Sequence, residues 1–188
     1  TYLASQLITT NYLNEISSKF GADWQKIKLA LQLDKRIGKF SYLKPGLGIS
    51  GGNIERDLKS QIDISSKLKF NSDFSLFLLQ KSNFYKQGIN RILNKILNPK
   101  IIGILGYTYK ENTLSVKNSP QLMLTHSNKY SFFIHDRRSN DLKKYENRNT
   151  KFKDLNFLLS NSTVVVIFHD LSIYKKINFE LYTNIKFI

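Results

Sequence analysis

The sequence contains no cysteine and only three histidines among its 188 residues. Without a thiol the chain cannot form a disulfide, a thiolate metal site or a cysteine nucleophile. The histidines, His126, His135 and His169, are scattered and lack the spacing of metal ligands. The sequence therefore predicts no metal site, and any chemistry of this chain must proceed without a thiol.

Long apolar runs are missing as well. No stretch approaches the ~20 consecutive apolar residues that cross a bilayer, and the first residues lack the pattern of a secretory signal. The default expectation is a soluble cytoplasmic protein. The chain begins without methionine inside an apolar periodic pattern and stops on the apolar run NIKFI. This pattern predicts a fragment of a longer protein.

Positive charge is abundant, with a formal net charge of +15 and lysine supplying 23 of 29 cations. Such an excess suggests an anionic partner, such as nucleic acid, a phosphorylated metabolite or an acidic surface. The lysines are spread along the whole chain among many Asn and Ile residues, and a compositional bias explains that distribution equally well. A nucleic-acid-binding module would rest on charge alone, so we do not favour it.

The first half of the chain carries a helical pattern. Apolar residues recur at helical spacing over residues 2–20, and Asp23 is placed to cap a second helix that begins at Trp24. Further helices are predicted from about Asn53 and within residues 73–97. The segment between the second and third helices is too rich in Gly and Pro for regular structure.

The second half alternates between strand and helix patterns. Short apolar runs rich in β-branched and aromatic residues predict four strands, in KIIGILGYTY, YSFFIHD, STVVVIFHD and NIKFI. A helix is predicted from Ser119 to about Asn128, and helix-length segments between strands indicate parallel βαβ units. We therefore predict an α/β chain, with a helical domain over residues 1–81 and a small parallel α/β domain over residues 82–188.

Residues 46–57, GLGISGGNIERD, hold four of the nine glycines. Glycines let a backbone approach a ligand closely, and a helix that starts after them directs N–H groups and its positive dipole end to the same place. This arrangement suits a phosphate. No Gly-Lys-Ser/Thr follows as in a P-loop, and no strand precedes as in a dinucleotide fingerprint. A tight turn with Asn53 as helix N-cap explains the spacing equally well.

Two groups of polar residues accompany possible ligand loops. The first surrounds the glycines and comprises Lys35, Arg36, Lys39, Lys44 and Arg56. The second lies in residues 103–120, where the first predicted strand ends in a loop that carries Lys110, Thr113 and Lys117. Ligands of open α/β sheets bind at the carboxyl ends of strands, so this loop is well placed. Ordinary solvated surface lysines remain the alternative for both groups.

Three stretches together resemble one family: GADWQKIKLALQLDKRIG, LKPGLGISGGNIERDL and IGILGYTYKENTLSVKNSP. Their order and separation are similar to those of the UDP-glucose/GDP-mannose dehydrogenase family of nucleotide-sugar dehydrogenases, and FFIHD and STVVVIFHDLSIYKKINFE continue the likeness. The resemblance implies a central helical domain that forms a homodimer, followed by a Rossmann-like domain that binds a UDP-sugar. It also implies NAD as cofactor, bound mainly by an N-terminal domain that we expect this sequence to lack.

The resemblance assigns roles to individual residues. The loop from Lys44 to Ser50 wraps the nucleotide-sugar, Arg36 reaches across the dimer interface, and Lys110 contacts substrate. Asp57 assists catalysis, while Arg56 and Lys117 stand at positions on the NAD side. The implied substrate-binding residues are Arg36, Tyr42, Lys44, Pro45, Gly46, Leu47, Gly48, Ile49, Ser50, Tyr109 and Lys110.

Asn53 stands where the family has its catalytic cysteine, and SGGN replaces the usual GGSC. In the family the thiolate traps an aldehyde while a sugar C6 alcohol is oxidised to a carboxylate in two hydride transfers. A carboxamide has no comparable nucleophile. The sequence therefore predicts part of an NAD-dependent nucleotide-sugar 6-dehydrogenase that is impaired in catalysis. The alternative is a non-catalytic nucleotide-sugar-binding or assembly protein of the same fold.

Overall fold

A computed structural model describes residues 1–96, 101–127 and 129–188. The chain divides into two compact units, Thr1–Gly88 and Ile89–Ile188. The sequence-based division between residues 81 and 82 falls inside a continuous helix, Asp73–Lys86. The roles assigned to residues 1–81 and 82–188 stay predictions. None of the helices in the described part of the chain is long and apolar enough to cross a membrane.

The first unit is helical, as predicted. Its helices are α1 (Tyr2–Lys19), α2 (Trp24–Leu33), α3 (Asn53–Lys67) and α4 (Asp73–Lys86), and the short α5 (Gly88–Leu93) begins at its last residue. Asp23 caps α2 as predicted, because its carboxylate accepts the Gln25 N–H at 2.8 Å. Gly21 takes a φ of +70° directly after α1, which allows the chain to turn into α2.

Apolar side chains of α1, α3 and α4 form the core of the first unit. Its buried members are Ala4, Ile8, Ile49, Leu58 and Leu78. Ile49 belongs to the irregular segment between α2 and α3, yet only 1% of its surface is exposed. The glycine-rich loop is therefore part of the packed core and is not an appendage to it.

The second unit is a parallel sheet with helices. In its described residues five strands, β1 (Ile101–Leu105), β2 (Ser131–His135), β3 (Thr150–Phe152), β4 (Val164–Ile167) and β5 (Lys186–Phe187), pair in the order β3-β2-β1-β4-β5. All four pairings are parallel. Four of these strands were predicted; β3 was missed, because it is a three-residue edge strand in a charged segment.

Helices cover the sheet on both faces, which explains the continuous apolar runs in its strands. They are α6 (Pro120–Thr125), α7 (Ser139–Leu142), α8 (Leu155–Asn161) and α9 (Ser172–Lys175), with 3₁₀ turns at Lys143–Tyr145 and Phe179–Tyr182. Ser119 caps α6 by accepting the Leu122 N–H at 3.0 Å. The helix is shorter than predicted, and Asn128 lies outside the described residues. These elements confirm the predicted α/β, Rossmann-like fold.

Candidate functional site

The glycine loop, residues 42–52, is fixed by hydrogen bonds from three helices of the first unit. From α1, Thr10 Oγ1 donates to the Tyr42 carbonyl at 2.6 Å, and Asn11 Oδ1 accepts the Gly46 N–H at 2.7 Å. The indole N–H of Trp24 donates to the Leu43 carbonyl at 2.9 Å. Each bond joins a side chain to loop backbone, so the loop has a defined conformation without being a strand or helix.

A fourth anchor comes from α4 and requires glycine in the loop. Ser82 Oγ accepts the Ile49 N–H at 2.9 Å. Gly48 has a φ of +83°, and a Cβ there would lie 2.5 Å from the Ser82 carbonyl oxygen. Gly48 is therefore needed both for its backbone conformation and for the close approach of α4.

The loop leads directly into α3, and Asn53 is the first residue of that helix. The N-cap is Gly52, so the alternative that Asn53 caps the helix is wrong. Gly52 has no side chain that could accept an N–H of the first turn of α3. The exposed Asn53 side chain thus stands beside the positive end of a fifteen-residue helix whose N-terminus has no side-chain cap.

Arg56 and Asp57 follow Asn53 on the surface. Their side chains form an ion pair with 2.9 Å between Arg56 Nη2 and Asp57 Oδ1, and both are more than half exposed. The pair keeps the carboxylate of Asp57 close to the start of α3 without burying it. At such exposed sites an ion pair contributes little stability, so it orients the side chains more than it holds the fold.

Beneath this surface a buried ion pair joins α3 to α4. Lys86 Nζ lies 3.0 Å from Glu55 Oε2, and 3% of the Lys86 side chain is exposed. The exposed Lys59 contacts the other Glu55 oxygen at 2.8 Å. Burial raises the pKa of Glu55, but the hydrogen bonds from Lys59 and Lys86 outweigh it, so the net pKa is lowered. Sequence reasoning missed this pair, because its partners are 31 residues apart.

Arg36 and Tyr42, both predicted to bind substrate, line one cavity of about 250 Å³ that α1 and α2 border. Arg36 is exposed and forms an ion pair with Asp34, at 2.6 Å between Arg36 Nη2 and Asp34 Oδ2. Donating to Asp34 raises the pKa of Arg36, and accepting from Arg36 lowers the pKa of Asp34. Lys44 is exposed, Pro45, Leu47 and Ser50 are half-buried, and Ile49 alone of the predicted contacts is buried.

The second predicted loop, residues 106–119, follows β1 in the second unit. The Tyr109 N–H donates to the Ser115 carbonyl at 3.0 Å, which closes the loop on itself. Lys110 is exposed, and its Nζ lies 5.4 Å from the centre of the Tyr109 ring. Lys117 is exposed near the other end of the loop. The loop thus exposes its two predicted ligand lysines, while Tyr109 and Thr113 are half-buried.

Two residues at the ends of strands were missed by sequence reasoning. Asp136 follows β2, and its carboxylate accepts the N–H groups of Tyr107 at 2.8 Å and Arg138 at 3.0 Å. His169 follows β4, and its Nε2 lies 2.8 Å from the Thr108 carbonyl. The signal was present, because a His-Asp pair ends each of the stretches FFIHD and VVVIFHD. Only the parallel sheet shows that Asp136 and His169 meet, with 3.8 Å between Oδ2 and Nδ1.

The contacts of Asp136 and His169 show whether the second unit could bind a dinucleotide. In a doubly wound sheet the pyrophosphate binds where the connections of β1 and β4 diverge, over a glycine turn and a helix N-terminus. Here the His169 ring fills that position, since a Cβ on Gly106 would lie 2.3 Å from His169 Cγ. The following helix begins only at Pro120. The described residues of this unit do not form a dinucleotide cradle.

The fold and the loops define a class: a helical unit with a glycine loop at a helix N-terminus, joined in sequence to a Rossmann-like unit. Residues 1–83 match the sequence profile of the UDP-glucose/GDP-mannose dehydrogenase family, central domain. The first unit thus matches the central domain of that family, and the relatives described next are similar to about two thirds of the chain. The described residues contain no cluster of three or more His, Asp or Glu side chains that could hold a metal ion.

Two curated members of that family are similar to this chain in sequence. The chain is 29% identical to the UDP-glucose 6-dehydrogenase of Rickettsia bellii over 129 residues, which is 65% of this chain and 29% of that enzyme. It is 28% identical to UDP-glucose 6-dehydrogenase TuaD of Bacillus subtilis, over 64% of this chain and 27% of TuaD. The matches span less than a third of the length of these relatives.

Solved structures support the fold. A UDP-glucose dehydrogenase from the archaeon Pyrobaculum islandicum superposes with a TM-score of 0.78 at 23% identity, covering 95% of this chain and 43% of that one. A GDP-mannose dehydrogenase from Pseudomonas aeruginosa gives a TM-score of 0.68 at 17% identity, over 99% of this chain and 46% of the other.

Proposed function

We propose that this chain forms the central and C-terminal parts of an NAD-dependent nucleotide-sugar 6-dehydrogenase. In this proposal it binds a UDP-sugar and dimerises through residues 1–81, but it does not complete the oxidation of the C6 alcohol to a carboxylate. The observation that carries the proposal is the glycine loop. It is fixed by side chains of α1, α2 and α4 and leads into the uncapped N-terminus of α3 with Asn53 at its first position.

Binding follows from the groups that the loop presents. Lys44 supplies positive charge, and the first-turn N–H groups of α3 supply donors and the positive end of the helix dipole. Tyr42, exposed beside the loop, offers an aromatic face on which a base can stack. These are the groups that recognise a diphosphate joined to a nucleoside.

The second loop contributes a separate set of contacts in this proposal. Lys110 and Tyr109 lie together at the end of β1, where a cation and an aromatic ring can bind a phosphate and a sugar or base. Lys117 and Arg56 are exposed cations that we propose for contacts with NAD. Because the second unit does not fit a dinucleotide, we derive no step of the reaction through that cofactor.

Catalysis is where the chain departs from its family. A thiolate at the first position of α3 would attack an aldehyde carbonyl, and the helix N-terminus would stabilise the thiolate. The amide of Asn53 cannot form that bond, and the chain has no cysteine to replace it. Asp57 could still bind a proton or a water, but without the nucleophile the two-step oxidation stops.

The second candidate function is a non-catalytic nucleotide-sugar-binding or assembly protein, and the observation that favours it is also Asn53. The two candidates share the binding site and differ in turnover. A dehydrogenase with residual activity would still release uronic acid. A binding protein would hold the nucleotide-sugar and release it unchanged.

Calorimetry with UDP-glucose, UDP and NAD tests the binding step. We expect saturable binding of UDP-glucose and UDP, weaker in Lys44→Gln and unchanged in Lys26→Gln, which removes an equally exposed lysine from α2. NAD should bind far more weakly than UDP-glucose. No saturable binding of either uridine compound would overturn the proposal, as would equal losses in the two variants.

A turnover assay tests the catalytic step. The chain is mixed with UDP-glucose, NAD and a purified NAD-binding domain of a family dehydrogenase, and uronic acid and NADH are measured. We expect neither product to accumulate. Formation of uronic acid with two equivalents of NADH would show that Asn53 does not prevent the reaction. A sedimentation measurement of the same preparation tests the proposed homodimer.

A further inference from the structure

A cavity of about 430 Å³ lies at the carboxyl ends of β2 and β3. Its lining residues belong neither to the glycine loop nor to the loop after β1. Segment 136–143 and the residues that follow β3 line the cavity, including Arg137, Arg138, Lys143 and Lys153. None of these residues belongs to the predicted substrate or cofactor contacts. The predicted substrate and cofactor contacts therefore do not account for this cavity.

Acidic side chains at this cavity are already engaged. Asp136, 6% exposed, accepts two backbone N–H groups. Asp141 accepts the Arg138 Nε–H at 2.8 Å, and Asp154 caps α8 by accepting the Phe157 N–H at 2.8 Å. Each carboxylate of the lining thus has a partner within the protein and is not left to bind a cation.

The cations show the opposite pattern. Arg137, Lys143 and Lys153 form no ion pair within the part of the chain that the structure describes. Lys153 instead lies over the Phe157 ring, with Nζ 4.7 Å from the ring centre. The segment 137–153 carries seven cations and two acids, Asp141 and Glu146. Three cations that lack a carboxylate partner therefore line a cavity whose acidic side chains already have partners within the protein.

The position of the cavity in the fold indicates which kind of anion it would bind. In doubly wound sheets with this strand order, the residue at the end of β2 contacts a ribose, and an arginine nearby accommodates a phosphate on that ribose. Asp136 occupies the β2 position, but it is 6% exposed and each of its oxygens already accepts one N–H, from Tyr107 or Arg138, which leaves it poorly placed to bind a ribose diol. Arg137 is exposed and has a guanidinium fork that matches phosphate oxygens.

We propose that the cavity at the ends of β2 and β3 binds a terminal phosphate group, through Arg137 with Lys143 and Lys153. The ligand is a phosphate carried by a ribose or free inorganic phosphate, and both share the chemistry that the cations recognise. Arg137 also lines a neighbouring cavity with Thr113 of the loop after β1, but none of the three cations is among the proposed nucleotide-sugar contacts, so this proposal does not depend on them.

The test is calorimetry of the full chain in phosphate-free buffer at constant ionic strength. The probes are 2′-AMP, 5′-AMP, inorganic phosphate and adenosine. We expect the phosphate-bearing probes to bind saturably and adenosine not to bind. A preference for an AMP over inorganic phosphate supports a ribose-borne phosphate, and equal binding supports free phosphate.

Matched variants locate the site. Arg137→Gln should weaken binding by about tenfold or more, whereas Arg148→Gln, which removes an exposed arginine outside the cavity lining, should change it less than about twofold. Lys26→Gln, which removes an exposed lysine of the first unit without a proposed role, should leave it unchanged. Equal losses in Arg137→Gln and Arg148→Gln would overturn the proposal, because they would show general attraction to a basic surface. Absence of phosphate-dependent binding would overturn it as well.

Discussion

The two loops proposed to bind ligand are held in different ways. The backbone of the glycine loop is hydrogen-bonded to side chains of three helices: Thr10 and Trp24 donate to it, and Ser82 accepts from it. The loop after β1 starts from a strand in the middle of a sheet. Its first residues are bound by side chains that follow the two neighbouring strands, Asp136 to the Tyr107 N–H and His169 to the Thr108 carbonyl, and the Tyr109 N–H is bonded to the Ser115 carbonyl. One loop therefore depends on how helices pack, and the other depends on a strand end.

This difference shows where each unit should be sensitive. A helical unit has no row of strand ends to carry a binding loop, so its loop must be fixed by long-range bonds and by core residues such as Ile49. Changes that move α3 or α4 should disturb the glycine loop. The second loop should withstand such changes, because β1 pairs with both β2 and β4.

The largest expected effect is the loss of the buried ion pair. Glu55→Gln removes the charge that compensates Lys86, whose side chain is 3% exposed, and should cost the first unit about 3 kcal/mol of unfolding free energy. Fluorescence of Trp24, the single tryptophan, reports this unit during urea unfolding. Lys59→Gln, which removes only the exposed partner, should cost less than about 1 kcal/mol. A small, equal effect of both variants would contradict the importance of the buried pair.

Glycine substitutions compare the two loops directly. Gly48→Ala, with a φ of +83° and a Cβ 2.5 Å from the Ser82 carbonyl oxygen, should cost about 2 kcal/mol and shift the Trp24 transition. Gly106→Ala should cost a similar amount and shift the unfolding of the sheet, followed by circular dichroism. Gly46→Ala is the control, because its Cβ would meet nothing within 4 Å. If Gly46→Ala were as costly as Gly48→Ala, the close approach of α4 would not be the cause.

A smaller loss should follow removal of one anchor. Ser82→Ala leaves the buried Ile49 N–H without its acceptor and should cost about 1 kcal/mol in the Trp24 transition. Ser60→Ala, on the exposed side of α3, should be neutral. Ser82→Ala should also weaken UDP-glucose binding, because the glycine loop loses one of the bonds that fix its conformation. Unchanged stability and binding would show that the other anchors suffice.

The smallest effect near neutral pH is the titration of Glu55, which removes the same charge as Glu55→Gln only when the solution is acidic. The folded pKa of Glu55 is lowered, so its contribution to stability is present above the unfolded pKa of about 4.3 and is lost as pH falls through the folded pKa. In Glu55→Gln this part of the acid dependence should disappear from the Trp24 transition. An unchanged acid profile in the variant would contradict the assignment.

Much of this fold could be predicted from the sequence, because its signals are local. Asp23 caps α2, Ser119 caps α6, and the β-branched runs form the central strands. The strand β3 could not be predicted, since pairing with β2 at the sheet edge and not composition makes it a strand.

The site residues likewise divide into those that a local sequence pattern indicates and those that it does not. The glycine loop and the Lys110 loop stood out in sequence, but the residues that fix them did not. Asn11 and Ser82 lie 35 and 33 residues from the backbone groups they bind. Their roles arise from helix packing, which no local pattern records. The alternative of an N-cap at Asn53 was wrong because α3 begins at Asn53 itself, one residue earlier than such a cap requires.

The central claim is that a nucleotide-sugar binds where the glycine loop meets α3, at a position that lacks only the nucleophile. Because the chain has no cysteine, Asn53→Cys creates a single thiol at that position. Its rate of alkylation by iodoacetamide reports access to the site without requiring turnover or NAD. Ser60→Cys, further along α3 on its exposed side, provides the control thiol.

The decisive measurement is the alkylation rate of the Asn53→Cys thiol with and without saturating UDP-glucose. The account predicts that the ligand slows alkylation by about tenfold or more, while the Ser60→Cys thiol reacts at the same rate in both conditions. Equal alkylation rates of the Asn53→Cys thiol with and without UDP-glucose would contradict the account.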